Sequence, residues 1–181
     1  MVGPELLRRA LLSGEFPNVS ARRLRNIVQE AFAPRYLVDE AQPAKLLKAV
    51  VKVLPPADFR QLLFLYTCRA NPILADFMRE VYWPRYEAGA RAIDREEAGS
   101  FVIRAVHRGR TVKPWSASTV VRVSNYLLGA CTDYGFLGPV RSGARAIVPF
   151  RIAQPTVTIL AHESIAATGS SSCTETTRTR K

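Results

Sequence analysis

Apolar residues recur at intervals of three and four through the first two thirds of the chain, the spacing of one helical face. Leu6, Leu7, Leu11 and Leu12 predict a short helix from Pro4 to about Gly14, with Pro4 in its first turn. Ser20 is a good N-cap for a helix over 21–32, which carries Leu24, Ile27, Val28 and Ala31 inward until Pro34 stops it. A third helix is expected over 43–54, with Leu46, Leu47, Val50 and Val53 inward. Beyond Pro55-Pro56, residues 57–70 are apolar on several sides and read as the central helix. Asn71-Pro72 restarts the chain as a helix carrying Ile73, Leu74, Phe77, Met78, Val81 and Tyr82, which Pro84 kinks or ends. Asp94 followed by Glu97 resembles a capping box and opens a helix to about Arg108.

After a loop over 109–114 the punctuation sharpens. Ser116 is an N-cap flanked by Trp115 and Val120 in the hydrophobic-staple arrangement, and Gly135 terminates a helix over 117–134. Val120, Val123, Leu127, Cys131 and Tyr134 form its inner stripe; Ser118, Arg122, Asn125, Gly129 and Thr132 share the opposite face. The period then changes to strand, turn, strand over 136–152, and Pro149 makes the second strand an edge or an interrupted one. Residues 155–162 are a short apolar segment of open type. From Ser164 the chain is rich in Ser and Thr without hydrophobic period, and 164–181 is expected to be a disordered tail. No internal repeat is apparent. The pattern predicts a mainly α fold: one helical-bundle domain over 1–163, within which a helix followed by a short basic β-hairpin, winged-helix-like, can be marked off at 94–163.

Composition narrows the class of partner. With 181 residues, 48% of them apolar, the chain can bury roughly 70% of its unfolded surface without metal or disulfide. Its 26 basic and 15 acidic residues leave a net charge of +11. The excess is uneven: residues 101–154 hold eight basic side chains and a single acid, Asp133. Solubility needs mixed charges, whereas a local field of one sign points to a polyanion, nucleic acid before membrane. No apolar run approaches the ~20 residues of a membrane span, and no signal-peptide pattern opens the chain, so a cytoplasmic protein is expected. Three widely spaced cysteines without a CxxC pair fit a reducing compartment, with Cys68 and Cys131 read as buried small hydrophobes.

Catalytic signals are absent. His107 and His162 have no Cys or acid at ligand spacing, and no phosphate-loop, dinucleotide, nucleophile-elbow or zinc-protease motif occurs. Neither enzyme activity, metal, cofactor nor small-molecule substrate is expected. The chemistry that is present suits DNA. Ser118 and Thr119 offer hydroxyls to phosphates, Arg122 and Asn125 match guanine and adenine edges, and Arg104, Arg108, Arg110, Lys113, Arg141, Arg145 and Arg151 supply phosphate contacts. Arg22, Arg23 and Arg25 form a secondary basic patch. Protein docking to an acidic subunit, or RNA binding, are the competing readings of the same charge.

The run 71–81, Asn-Pro-Ile-Leu-Ala-Asp-Phe-Met-Arg-Glu-Val, resembles the "LL-x-DFL-x-EV" run of BrxA-type proteins. So does Trp115-Ser116-Ala117-Ser118-Thr119 with Tyr134-Gly135-Phe136-Leu137 about twenty residues later. The resemblance spans roughly Ser20 to Glu163. These are small components of BREX (bacteriophage exclusion) systems. The resemblance implies a mainly helical fold similar to the antitermination factor NusB, a capacity to bind duplex DNA and no catalytic centre. It also implies action beside a methyltransferase, a large ATPase and a phosphatase-like protein.

Overall fold

Two prolines that ought to end helices do not. The structure, a computed structural model, describes residues 2–171. After α1 (Val2–Leu12), helix α2 runs over 21–36 as α-helix Ala21–Asn26, π-helix Ile27–Phe32 and α-helix Ala33–Tyr36, passing straight through Pro34. Helix α5 repeats the device over 72–87, as Pro72–Phe77, π-helix Met78–Tyr82 and Trp83–Glu87, passing through Pro84. A proline ring clashes with the carbonyl four residues back, here that of Glu30 or Glu80, and both lie in the π segment. There the turn widens: the amide of Ala33 donates to Val28, and that of Trp83 to Met78, five residues back. The wider turn makes room for the ring, so the helix continues past the proline instead of stopping.

The two helices are related in sequence as well. Shifted by fifty residues, Leu24, Glu30, Pro34, Arg35 and Tyr36 fall on Leu74, Glu80, Pro84, Arg85 and Tyr86. Leu24 and Leu74 are both buried, as are Val28 and Met78. The chain therefore carries this proline-containing helix twice, a recurrence that apolar periodicity alone does not reveal. Each copy is followed by a helical pair: α3 (Gln42–Val50) and α4 (Pro56–Ala70) after the first, α6 (Arg95–His107) and α7 (Ala117–Asp133) after the second. In the second copy a strand, β1 (Ala92–Asp94), precedes α6, and a hairpin, β2 (Leu137–Arg141) and β3 (Ala144–Ile147), follows α7. Helix α8 (Gln154–Ser171) is the last described element.

The three strands form an antiparallel sheet in the order β1-β3-β2. β3 is thus the central strand, not an edge, and it ends at Ile147 before Pro149 can break the ladder. The hairpin turns on Ser142 and Gly143, both with positive φ (49° and 82°), the geometry of a two-residue I′ turn. A register shift between Leu137 and Val140 absorbs Pro139 on the outer strand. Strand β1 has no sequence signal: three residues are too few to show a period.

Each repeat has its own core. In the first, Tyr36, Leu47, Leu62 and Tyr66 pack together; in the second, Leu74, Phe77, Tyr82, Ile93, Phe101 and Leu127 are central. Helix α4 joins them, since its Phe64 packs on Phe136 and Tyr134, with ring centroids 4.4 and 5.2 Å apart. Phe136 also stacks on Phe150 at 4.3 Å and meets Tyr82 edge-on at 5.2 Å. A third, small cluster of Leu7, Leu24 and Val28 holds α1, but Leu11 and Leu12 of the expected stripe stay exposed. The segment of open type over 155–162 lies in α8, which continues through residues 164–171 of the segment expected to be disordered. The rest of that expectation, residues 172–181, lies outside the described residues, as does Cys173.

Phe136→Ala removes the ring of the second core on which Phe64 of α4 packs. It should destabilise by about 3–5 kcal/mol, read as a lowered urea midpoint.

Candidate nucleic-acid interface

Ser116 caps α7, its Oγ accepting from the Thr119 amide at 3.3 Å, while Trp115 and Val120 on either side pack against the core. The Ser116 hydroxyl lies 3.0 Å from those of both Ser118 and Thr119, so the start of α7 carries a small hydroxyl cluster. Inward, α7 buries Ser124, Leu127, Leu128, Ala130 and Cys131. Outward, Ser118, Arg122 and Asn125 are exposed, with Gly129 and Thr132 half-buried further along the same face. Tyr126 beside it accepts from Asn71 Nδ2 at 2.8 Å, which ties α7 to the start of α5.

The hairpin is fastened to this face. Arg145 Nη1 donates to Thr132 Oγ1 at 2.9 Å, and Thr132 Oγ1 itself donates to the Leu128 carbonyl at 3.0 Å. Arg145 is thereby held against the last turns of α7 rather than free in solvent. Arg141, at the end of β2, is exposed beside the Ser142-Gly143 turn. Arg151 is exposed, and its carbonyl accepts from Gln61 Nε2 at 2.9 Å. Arg122, Arg141, Arg151 and Lys113 form no ion pair among the described residues.

Two arginines expected on this surface are held elsewhere, and a third faces carboxylates without pairing to one among the described residues. Arg110 bridges Asp76, at 3.1 Å, and Glu80; Arg108 reaches Glu80 at 3.6 Å. The Glu80 carboxylate beside Arg110 raises its already high pKa. Arg104 lines a groove of about 460 Å³ with Glu80, Asp94, Glu96 and Glu97. The carboxylates of α5 and of the start of α6 therefore gather this part of the basic stretch on their own side. Asp94 caps α6 by accepting from the Glu97 amide at 2.8 Å, but Glu97 does not complete the capping box: its carboxylate takes Arg85 instead. Lys113 sits at a separate cleft of about 680 Å³, walled by Ile73, Phe101, Val112 and Trp115. Arg22, Arg23 and Arg25 are exposed around the Ser20 cap of α2, far along the chain from α7.

Sequence reading missed Arg60, whose Nη1 lies 3.8 Å from where a Cβ on Gly135 would be, beside the junction of α7 and β2. It also missed Lys45, Lys48 and Lys52, all exposed. The thiols are structural. Burial pushes Cys131 up to about 12 and Cys68 to about 11, and Cys131 Sγ faces Met78 Sδ at 3.7 Å. Among the described residues no three His, Cys, Asp or Glu side chains gather as a metal set, and no helix is long and apolar enough to cross a membrane.

Fold and surface together define a mainly helical protein that presents, on one helix and the hairpin fastened to it, cations that form no ion pair among the described residues. The family model for BrxA matches residues 11–164, and the chain belongs to the BrxA family, which makes it a BREX-associated protein. No curated protein and no solved structure shows a significant match to it.

Glu80→Gln should free Arg108 and loosen Arg110, so the variant should elute from heparin at higher salt than Glu87→Gln. Both changes remove one charge, but only the first releases Arg108 from its ion pair; equal elution would mean that the pairing with Glu80 does not withhold these arginines from a polyanion.

Proposed function

We propose that this BrxA-family protein is a non-catalytic DNA-binding accessory component of a BREX phage-defence system. It acts in the cytoplasm beside the system's methyltransferase, ATPase and phosphatase-like proteins, and grips duplex DNA mainly through phosphates. The observation that carries this reading is the Arg145–Thr132 bond, which joins the outward face of α7 and the basic hairpin into one surface. The order helix, strand, helix, helix, hairpin with sheet order β1-β3-β2 supports a winged-helix reading, with α7 as the helix presented to a groove and Arg141 at the tip of the wing. The likeness to NusB is what the family resemblance implies, and the mainly helical fold is consistent with it.

In this reading the parts have distinct tasks. The capped start of α7 offers amide hydrogens and the Ser118 and Thr119 hydroxyls to a phosphate. Arg122 and Asn125, one turn further, reach base edges or the adjoining backbone. Arg141, Arg145 and Arg151 neutralise phosphates along the hairpin, and Lys113 extends the same field. Arg104, Arg108 and Arg110 contribute little, because Asp76, Glu80 and the acids of α6 already compensate them. With few base-edge groups and many cations, binding should fall steeply with salt and depend weakly on sequence.

Arg122→Glu with Arg141→Glu should weaken duplex binding at least tenfold in fluorescence anisotropy while leaving the melting temperature within about 2 °C, since both side chains are exposed. A duplex affinity unchanged by the double variant would overturn the α7–hairpin surface, and retention of an acidic partner protein by that variant's parent alone would favour protein docking instead.

A further inference from the structure

The repeat raises a question about its first copy. In the second copy, the helices after the proline-containing helix carry the proposed DNA face. In the first, α3 turns Pro43 and Leu47 into its own core and leaves Gln42, Lys45, Lys48 and Ala49 outside. Lys52 continues the same spacing into the turn after the helix, so Lys45, Lys48 and Lys52 form one row at i, i+3 and i+7. None of them forms an ion pair among the described residues.

The row is unusual as a solvated helix surface. A helix gains from Glu–Lys pairs at i,i+4 and loses by like charges one turn apart, yet no acid occurs between Glu40 and Asp58. The carboxylates at Asp39 and Glu40 precede the helix, in a turn where Asp39, Glu40 and Ala41 all have positive φ of 49–62°. Lys45, Lys48 and Lys52 thus present three ammonium groups along about 10 Å of helix. Duplex DNA carries one charge per ~1.7 Å of its axis, so a row of this length faces several phosphates at once.

We propose that Lys45, Lys48 and Lys52 form a second phosphate-binding face, so that one chain grips duplex DNA twice, once with each copy of its repeat. This rests on the DNA reading above, and it differs from it in placing contacts on a helix whose core is separate from that of α7.

The test is the salt dependence of duplex binding, measured by anisotropy with a random-sequence duplex. Three cases are compared: the wild-type chain, the triple variant Lys45→Gln, Lys48→Gln, Lys52→Gln, and the triple Lys→Arg variant. The Gln variant should keep its melting temperature and lose about 2.7 from the log–log slope, ~0.9 for each phosphate contact. The Arg variant should keep the wild-type slope. In the Arg122→Glu, Arg141→Glu background, residual binding should vanish when the three glutamines are added. A Gln variant with wild-type slope and affinity overturns the second face while leaving the α7–hairpin face standing. A wild-type chain that binds no duplex at low salt overturns both.

Discussion

The fold turns on Phe136. This ring stands at the first residue after Gly135, whose φ of 85° ends α7 in a conformation that side chains disfavour. From there Phe136 meets Phe64 of the first repeat, Tyr82 of the second, and Phe150 beyond the hairpin. Buried aromatic pairs of this kind add about 0.5–1.5 kcal/mol each beyond their area. The position matters more than the sum. One side chain fixes where α7 stops, where the hairpin starts, and how both lie against α4. The Tyr82 hydroxyl reaches the Phe136 and Val148 carbonyls at 3.4 Å, so the same cluster also reads out the strand pair. The surface built by Arg122, Arg141 and Arg145 is as rigid as this junction allows.

The two repeats close their cores differently. In the second, the sheet covers the helices: Ile93 of β1 is fully buried, and Ile147 of β3 packs on the same cluster. The first has no sheet, and α8 returns to take its place. Ile159 packs on the Leu62 and Tyr66 cluster, and Glu163 accepts from the Tyr66 hydroxyl and pairs with Arg69 at 2.9 Å. Burial and the Glu163 bond both hold the Tyr66 phenol protonated well beyond its usual range. Gln61 fastens the connecting segment, its amide donating to the Arg151 carbonyl and accepting from the Ala153 amide at 3.0 Å. The chain end therefore completes the unit with which the family match begins.

Much of this was legible in the sequence where the signal is local. The caps at Ser20, Asp94 and Ser116, the stop at Gly135, the two faces of α7 and the hairpin follow from side chains within four residues of one another. The failures are nonlocal or depend on backbone detail. Pro34 reads as a stop, and Pro84 as a kink or an end, because a π turn leaves no mark in hydrophobic periodicity. Leu11 and Leu12 read as core because helical spacing says nothing about whether a partner helix exists opposite them. β1 is invisible until β3 pairs with it, Ile93 opposite Arg145. α8 was not legible because its partners, Leu62 and Tyr66, lie about a hundred residues away.

The site shows the same limit in charge. Counting cations over 101–154 assigns Arg104, Arg108 and Arg110 to the same field as Arg122 and Arg141. The structure separates them, because Asp76 and Glu80, some thirty residues earlier, stand on the neighbouring helix and take Arg108 and Arg110. An exposed pair of this sort contributes little to stability. Its consequence is electrostatic: it cancels positive potential on one side of the second repeat and leaves it on the other. Net charge thus sets the sign of the field, but the pattern of internal pairing sets the side on which that field stands out. A protein with uniformly spread cations would attract a polyanion without orienting it. Here the carboxylates of α5 take Arg108 and Arg110, while Arg122 and Arg141 on the α7–hairpin side stay exposed without an ion pair among the described residues, and α3 carries a separate row of lysines.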